Sequence, residues 1–213
     1  MDTSKQKIKP VVLVAILVMA FLTFTSFFGL SIAGIAVLVG VAFFFVDKGR
    51  KSNSGLEIKS IGKDLANPRI WFWITMPAIM NIICAGLAKI VLPDFMDHVL
   101  ARTSQFLSFS PLPLLAVQLV VAALGEEIAW RAFFQKQLNK VCPASAALLI
   151  TSIFFSLGHL ANGTTAIVIY DLLFITINSV FYGIVFLKTN NAWVSTISHL
   201  IANIVSILLL MFL

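Results

Sequence analysis

The stretch A-L-G-E-E-I-A-W-R, Ala123–Arg131, places two glutamates and an arginine inside a long apolar run. The chain contains only three glutamates, and two of them, Glu126 and Glu127, are adjacent here. A charged side chain at bilayer depth costs at least about 2.5–3.5 kcal/mol on insertion scales, so such residues are usually functional. We therefore expect this pair to act in a site, and the rest of the chain to be its scaffold.

The composition around this stretch is that of a membrane protein. Of the 213 residues, 60% are hydrophobic and 11% are charged, and the mean hydropathy is +1.00. Soluble domains carry about 25% charged residues, and a soluble fold could not bury this much apolar surface. We predict an all-α, polytopic transmembrane helical bundle of about seven membrane-spanning helices, formed by residues 1–213 as a single integral membrane domain.

The order of apolar and polar runs gives the predicted crossings. The first run, Val11–Val46, has no charge and is nearly twice as long as the ~20 residues that one crossing needs, so we predict a helical hairpin that turns near Gly29–Ser31. One very long tilted helix is the alternative. The later crossings are predicted at Ile70–Leu92, Leu112–Asn139, Pro143–His159, Ala166–Leu187 and Trp193–Leu213.

The positive charges lie mostly in the connections between these runs. The net charge is +6, and this distribution follows the positive-inside rule rather than indicating nucleic-acid binding. It favours a cytoplasmic N-terminus, and the first apolar stretch is too long for a cleaved signal peptide. The basic segment 47–69 is predicted to be cytoplasmic, either as a short interfacial helix with Ile58, Ile61 and Leu65 on one side or as a solvated loop.

Several polar or reactive residues are expected to be structural. Cys84 and Cys142 have no paired spacing, so both are predicted to be small buried hydrophobes. The connection 93–111 is expected to hold His98 in solvent. Asp171, about one turn into the sixth predicted helix, is expected at the membrane interface rather than in the site.

Three predicted helices carry polar groups that could do chemistry. Because residues four apart share a helix face, each helix presents one such pair. Adjacent glutamates differ by about 100° around the helix axis, so one should face Arg131 and the other should face the bundle. The pairs are Glu127 with Arg131, Phe155 with His159, and His199 with Asn203.

This set of side chains can support hydrolysis without a serine or cysteine nucleophile. A carboxylate and a histidine can hold a water and take its proton as it attacks a carbonyl, while a second histidine and an asparagine amide donate to the oxyanion. Two histidines and a glutamate could equally hold zinc, with the other glutamate as base. The compact H-E-x-x-H spacing of many zinc peptidases is absent.

The three motifs E-E-x-x-x-R, F-x-x-x-H and H-x-x-x-N, in this order on three helices, resemble the CPBP family of intramembrane proteases. That family includes CAAX proteases and bacteriocin-processing enzymes and is also called Abi. The resemblance covers the motif-bearing core at 112–203. The family often has Phe before the arginine and Gly after it, where this chain has Trp130 and Ala132, a departure that spares the catalytic groups.

The resemblance implies a glutamate-dependent endopeptidase in the cell membrane of a bacterium. Its implied substrates are prenylated CAAX-type proteins, bacteriocin or pheromone precursors, or membrane-anchored peptides. The resemblance assigns Glu126 as the base with His159 as its water-holding partner. It assigns His199 and Asn203 to the oxyanion hole, and Glu127 and Arg131 to support.

Metal-free catalysis is favoured over zinc at Glu126, His159 and His199, because an asparagine is a better oxyanion donor than a metal ligand. Two other functions compete with hydrolysis. The protein could be a non-catalytic scaffold or immunity-type regulator that retains the motifs. It could also be a transporter with Glu126, His159 and His199 as a proton relay, although the sequence shows no inverted repeat. Whether or not the protein is an enzyme, Glu127–Arg131 could be a purely structural ion pair, and His199–Asn203 could serve only to hydrogen-bond neighbouring helices.

Overall fold

The computed structural model describes residues 8–24, 26–27, 30–31, 33–48 and 54–212. This part of the chain is almost entirely helical. One long helix, Leu112–Leu138, is α-helical as far as Glu127, π-helical from Ile128 to Gln135, and α-helical again from Lys136. The helices are α1 (Pro10–Leu22), α2 (Ala33–Lys48), α3 (Ile61–Leu65), α4 (Pro68–Val91), α5 (Phe95–Thr103), α6 (Leu112–Glu127), α7 (Lys136–Leu138), α8 (Ala144–Leu157), α9 (Thr165–Thr189) and α10 (Ala192–Phe212).

The described helices form the predicted polytopic bundle. Four of them are long and apolar enough to cross a membrane: Pro68–Val91, Leu112–Leu138, Thr165–Thr189 and Ala192–Phe212. Three more apolar helices are shorter, at Pro10–Leu22, Gly34–Asp47 and Ala144–Leu157. Within the described residues this makes seven apolar helices. The short ones rise only about 20–24 Å at 1.5 Å per residue, below the ~30 Å of a hydrocarbon core.

The first apolar run is interrupted, so the single long helix is wrong for this chain. Helix α1 ends at Leu22 and α2 begins at Ala33, and the two helices pack against each other. Between them, β1 (Ser26–Phe27) pairs antiparallel with β2 (Leu30–Ser31) in a two-residue ladder. The predicted turn therefore falls in this connection, and Gly29 itself lies outside the described residues.

The basic segment is helical where the structure describes it, and it is fastened to the bundle. A short 3-10 turn at Ile58–Ser60 leads into α3. Asn191, between α9 and α10, donates from Nδ2 to the Glu57 carbonyl at 3.1 Å and to Ser60 Oγ at 2.9 Å. Of the two interpretations of this segment, the structure therefore favours the short helix over the solvated loop.

The predicted connection at 93–111 contains a short helix that was not predicted from the sequence. Residues 95–103 form α5, whose Phe95 is buried in edge-to-face contact with Tyr170 at 5.0 Å. The solvated position predicted for His98 is wrong, because its side chain is only 6% exposed and contacts Asp171. Asp171 is itself buried. His98 and Asp171 lie 73 positions apart in the sequence, so local sequence does not reveal their contact.

The largest apolar cluster surrounds the second half of the long helix. Trp130, Phe133 and Phe134 pack there with Met19 of α1 and Phe44 of α2. Close helix packing needs small residues where backbones meet. In α2 that residue is Gly40, where an added Cβ would lie 2.6 Å from Ala129 Cβ and 2.9 Å from Ala129 Cα.

Gly40→Ala is expected to destabilise the bundle. The methyl would meet backbone that cannot move aside, and overpacking of this kind costs about 1–3 kcal/mol. Gly34→Ala in the same helix is the matched control, because a Cβ there meets nothing within 4 Å. Thermal unfolding in detergent should show a lower Tm for Gly40→Ala alone. Equal Tm values for the two variants would contradict this packing.

Candidate functional site

The two glutamates stand where the long helix changes its winding. Glu127 is the last residue of α6, and the π-helical segment Ile128–Gln135 follows it directly, with all eight residues buried. Wider π turns inside α-helices occur frequently at functional sites. Here the change of winding sets the angular positions of Glu127 and Arg131 relative to the apolar residues around them.

Glu127 and Arg131 form an ion pair with no exposed side-chain surface. Arg131 Nε lies 3.4 Å from Glu127 Oε2, and Arg131 Nη2 donates to Ser179 Oγ of α9 at 3.1 Å. The guanidinium carbon is 4.9 Å from the centre of the Phe155 ring and 5.9 Å from that of Tyr182. The arginine therefore sits between α8 and α9, with its charge balanced by the glutamate and faced by two aromatic rings.

His199 of α10 lies between the two glutamates. Its Nδ1 is 3.1 Å from Glu127 Oε1, and its Nε2 is 3.7 Å from Glu126 Oε2. The ring stacks on Tyr182 with centroids 4.4 Å apart and planes 17° apart. A carboxylate oxygen accepts, so Nδ1 is the nitrogen that donates to Glu127. The Nε2 atom is thereby aimed toward Glu126.

Glu126 differs from its neighbour in environment, as adjacent positions on a helix should. Its side chain keeps 23% of its surface exposed, whereas that of Glu127 is fully buried. The separation of 3.7 Å from His199 Nε2 exceeds a direct hydrogen bond, so a small adjustment or a bridging group would couple the two. Of the two glutamates, Glu126 is the one with a reachable carboxylate.

His159 follows the end of α8 and is oriented by that helix. Its Nδ1 donates to the Phe155 carbonyl at 2.9 Å, because a carbonyl oxygen can only accept. This fixes the proton on Nδ1 and leaves a lone pair on Nε2. The Phe155 ring contacts both imidazoles, with its centroid 4.8 Å from that of His159 and 5.9 Å from that of His199. Among the described residues, no direct hydrogen bond joins His159 to either glutamate.

A cavity of about 130 Å³ brings three of the predicted site residues together, namely His159, His199 and Asn203. With the region open to the surroundings included, the space is about 740 Å³. The two glutamates are not in its lining, and Glu126 reaches it only through its approach to His199. Side chains that share this cavity but were not predicted as site members include Asn81, Arg102, Asp171, Asn178 and Tyr182.

A part of this unpredicted set carried a sequence signal. Asp171 is an acid inside an apolar run, the same signal that singles out Glu126. Tyr182 and Asn178 lie four residues apart on α9, but tyrosine and asparagine in a membrane helix are too common to indicate a site. Arg102 becomes recognisable only once α5 is seen to be a helix folded against α9.

The possible zinc ligands do not form a recognisable coordination group. Over the described part of the chain, no three His, Cys, Asp or Glu side chains are placed so that they could hold a metal ion. His159 Nε2 and His199 Nε2 are the two nitrogens that could each offer a lone pair.

The fold and the site together define a class of protein. It is a polytopic membrane protein in which histidine and asparagine side chains line one cavity and a pair of glutamates contacts one of those histidines. Residues 108–205 match the model of the family described as type II CAAX prenyl endopeptidase Rce1-like, which is 98 of the 213 residues. This match confirms the predicted resemblance to the CPBP/CAAX protease family over the motif-bearing segment. No curated protein and no solved structure matches the chain significantly.

Proposed function

We propose that the protein is an intramembrane endopeptidase that hydrolyses a peptide bond with water activated by Glu126 and His159. One observation supports this most directly. His199, from α10, lies 3.1 Å from Glu127 and 3.7 Å from Glu126, and it shares a cavity with His159 and Asn203. These contacts support a site to which segments distant in sequence would contribute a base, a water-holding group and oxyanion donors.

In the proposed reaction, a water between Glu126 and His159 loses a proton to the Glu126 carboxylate as its oxygen attacks the scissile carbonyl carbon. His159 is suited to hold that water, because its Nε2 lone pair can accept one water proton. When the carbon–nitrogen bond breaks, the proton on Glu126 passes to the leaving amine. The products are a new carboxyl terminus and a new amino terminus, so no further reactant is needed.

His199 and Asn203 are proposed to stabilise the oxyanion. To donate to it, His199 needs a hydrogen on Nε2 while Nδ1 already donates to Glu127. The form of the ring that does both is the imidazolium, with Nδ1 facing the Glu127 carboxylate. The Asn203 amide would be the second donor. In such sites, the loss of one donor costs about 10²–10³ in kcat.

The substrate class follows from the family match. A prenylated CAAX-type protein is the substrate type that the family description names. Bacteriocin or pheromone precursors and membrane-anchored peptides remain in the proposal, because the site itself does not distinguish among them. We further propose the cell membrane of a bacterium as the location, with the N-terminus and the segment 47–69 on the cytoplasmic side.

The test is peptide cleavage by the protein purified in detergent. Lipidated and unlipidated peptides of matched sequence should be incubated in H₂¹⁸O and the products mapped by mass spectrometry. We expect one cleavage position, with ¹⁸O in the new carboxyl terminus. Elemental analysis of the active preparation should show zinc well below one atom per chain. Failure to cut any of these peptides would favour the scaffold or regulator, and stoichiometric zinc would overturn the metal-free mechanism.

A further inference from the structure

The chain has two tyrosines, both on α9, and they differ in what their hydroxyls bind. The Tyr170 hydroxyl donates to the Cys84 carbonyl of α4 at 2.7 Å. Within the part of the chain that the structure describes, the Tyr182 hydroxyl has no hydrogen-bond partner, although its side chain is only 3% exposed. A buried tyrosine usually finds a partner for its hydroxyl. The partner of Tyr182 is therefore to be sought among the groups that enter the site.

Tyr182 lies beside the groups to which the proposed reaction assigns roles. It lines the cavity that also contains His199 and Asn203. Its ring stacks on the His199 imidazole, with the centroids 4.4 Å apart and the planes 17° apart. Its hydroxyl also interacts electrostatically with Glu127 and Glu126. The phenol is thus close to both the proposed base and the proposed oxyanion donors, yet the reaction as written so far does not use it.

The other donors of the cavity indicate what the hydroxyl binds. In the proposed reaction, His199 Nε2 and the Asn203 amide both donate to the oxyanion. Among the described residues, the Asn203 amide also has no hydrogen-bond partner. A tyrosine hydroxyl can donate as well as accept. Donors that share one cavity are complementary to an acceptor with several lone pairs, and in peptide hydrolysis that acceptor is the tetrahedral oxyanion.

The surroundings of the hydroxyl suit a hydrogen-bond donor that keeps its proton. If Tyr182 gave up its proton, the phenolate would lie near two carboxylates in a site with little solvent. Like charges repel strongly there, and a buried charge without a partner is costly. The nearest cation, Arg131, is already paired with Glu127. The neutral hydroxyl can therefore stabilise a negative oxygen, but it is a poor source of a proton for the leaving amine.

We propose that the Tyr182 hydroxyl donates a hydrogen bond to the oxyanion, as a third donor beside His199 and Asn203. This inference rests on the proposed endopeptidase function and adds a catalytic residue to it. As the water oxygen bonds to the carbonyl carbon, the carbonyl oxygen becomes negative and the hydrogen bond from Tyr182 strengthens. When the carbon–nitrogen bond breaks, the carbon–oxygen double bond forms again. Tyr182 retains its proton throughout.

Tyr182→Phe tests this role, because it removes the hydroxyl and keeps the ring that stacks on His199. We expect kcat to fall about 10²–10³-fold, the usual loss for one oxyanion donor. KM should stay close to the wild-type value, because the bond strengthens only in the transition state. Tm in detergent should not fall, since no described contact of the fold uses this hydroxyl. A wild-type kcat in Tyr182→Phe would overturn the inference and leave the peptidase intact.

Tyr170→Phe is the matched control, because Tyr170 is the other tyrosine of α9 and does not line the cavity. Its hydroxyl bond to Cys84 serves the fold, so its loss should lower Tm by about 2–4 °C. Its kcat should equal that of the wild type. The two variants are thus expected to show opposite patterns of activity and stability. A fall in Tm for Tyr182→Phe like that for Tyr170→Phe would assign the Tyr182 hydroxyl to the fold and overturn the inference.

Matched ester and amide substrates separate an oxyanion donor from a proton donor. An alkoxide leaves more easily than an amine without protonation, so the loss of a proton donor slows an ester less than an amide. The loss of an oxyanion donor slows both, and we expect Tyr182→Phe to slow both by a similar factor. An ester that is cut at the wild-type rate would make Tyr182 the acid and overturn the inference. If the wild type cuts neither substrate, the proposed function fails and the inference fails with it.

Discussion

Glu126→Gln is expected to reduce peptide cleavage by about 10²–10⁴-fold, the range that a positioned general base contributes. The amide keeps the size of the side chain but cannot take a proton from water. Because Glu126 is the partly exposed member of the pair and makes no ion pair with Arg131, the substitution should leave the bundle intact. Cleavage should be followed with the same peptide as for the wild type, together with Tm in detergent.

Glu57→Gln is the natural control for this substitution, since Glu57 is the third glutamate of the chain and lies outside the cavity. It accepts hydrogen bonds from Ser54 and Gly55, and a glutamine oxygen can still accept them. Its activity should equal that of the wild type. Full activity in Glu126→Gln with an unchanged Tm would remove Glu126 as the base. In cells, a phenotype that survives the substitution would favour a scaffold.

The bundle could be predicted from the sequence because long uncharged apolar runs identify membrane helices by composition alone. A run such as Val11–Val46 leaves no alternative to burial in lipid, and the break within it followed from its length alone. Helix α5 was not predicted because its composition gives no such signal. Its nine residues are of mixed polarity, and only packing of Phe95 and His98 against α9 shows them to be a helix.

The motif residues could be listed from the sequence, but not their pairing. Spacing of four residues predicted that Glu127 meets Arg131, and the structure has this contact. The bond from His199 to Glu127 joins residues 72 positions apart, and helical periodicity does not say which helices are neighbours. The resemblance grouped Glu126 with His159. In the structure, the histidine with a described contact to Glu126 is His199. The π-helical turn after Glu127 has no sequence signature that we recognised.

Arg131→Met is expected to destabilise the protein by about 3–5 kcal/mol, the usual cost of removing one partner of a buried ion pair. Glu127 would be left as an uncompensated charge with no exposed surface, and Ser179 would lose its donor. Arg69→Met is the control, because Arg69 is exposed at the start of α4. It should lie within about 0.5 kcal/mol of the wild type, as surface substitutions usually do. Unfolding by heat or denaturant in detergent measures both.

The double variant Glu127→Gln/Arg131→Met separates the two roles of the pair. Replacing both charges removes the unpaired ion, so most of the lost stability should return, since apolar replacements of buried pairs are often neutral. Activity should not return with it. His199 would have lost the carboxylate that accepts from Nδ1 and orients its ring toward Glu126. A double variant with wild-type stability and wild-type kcat would show that the pair serves the fold alone.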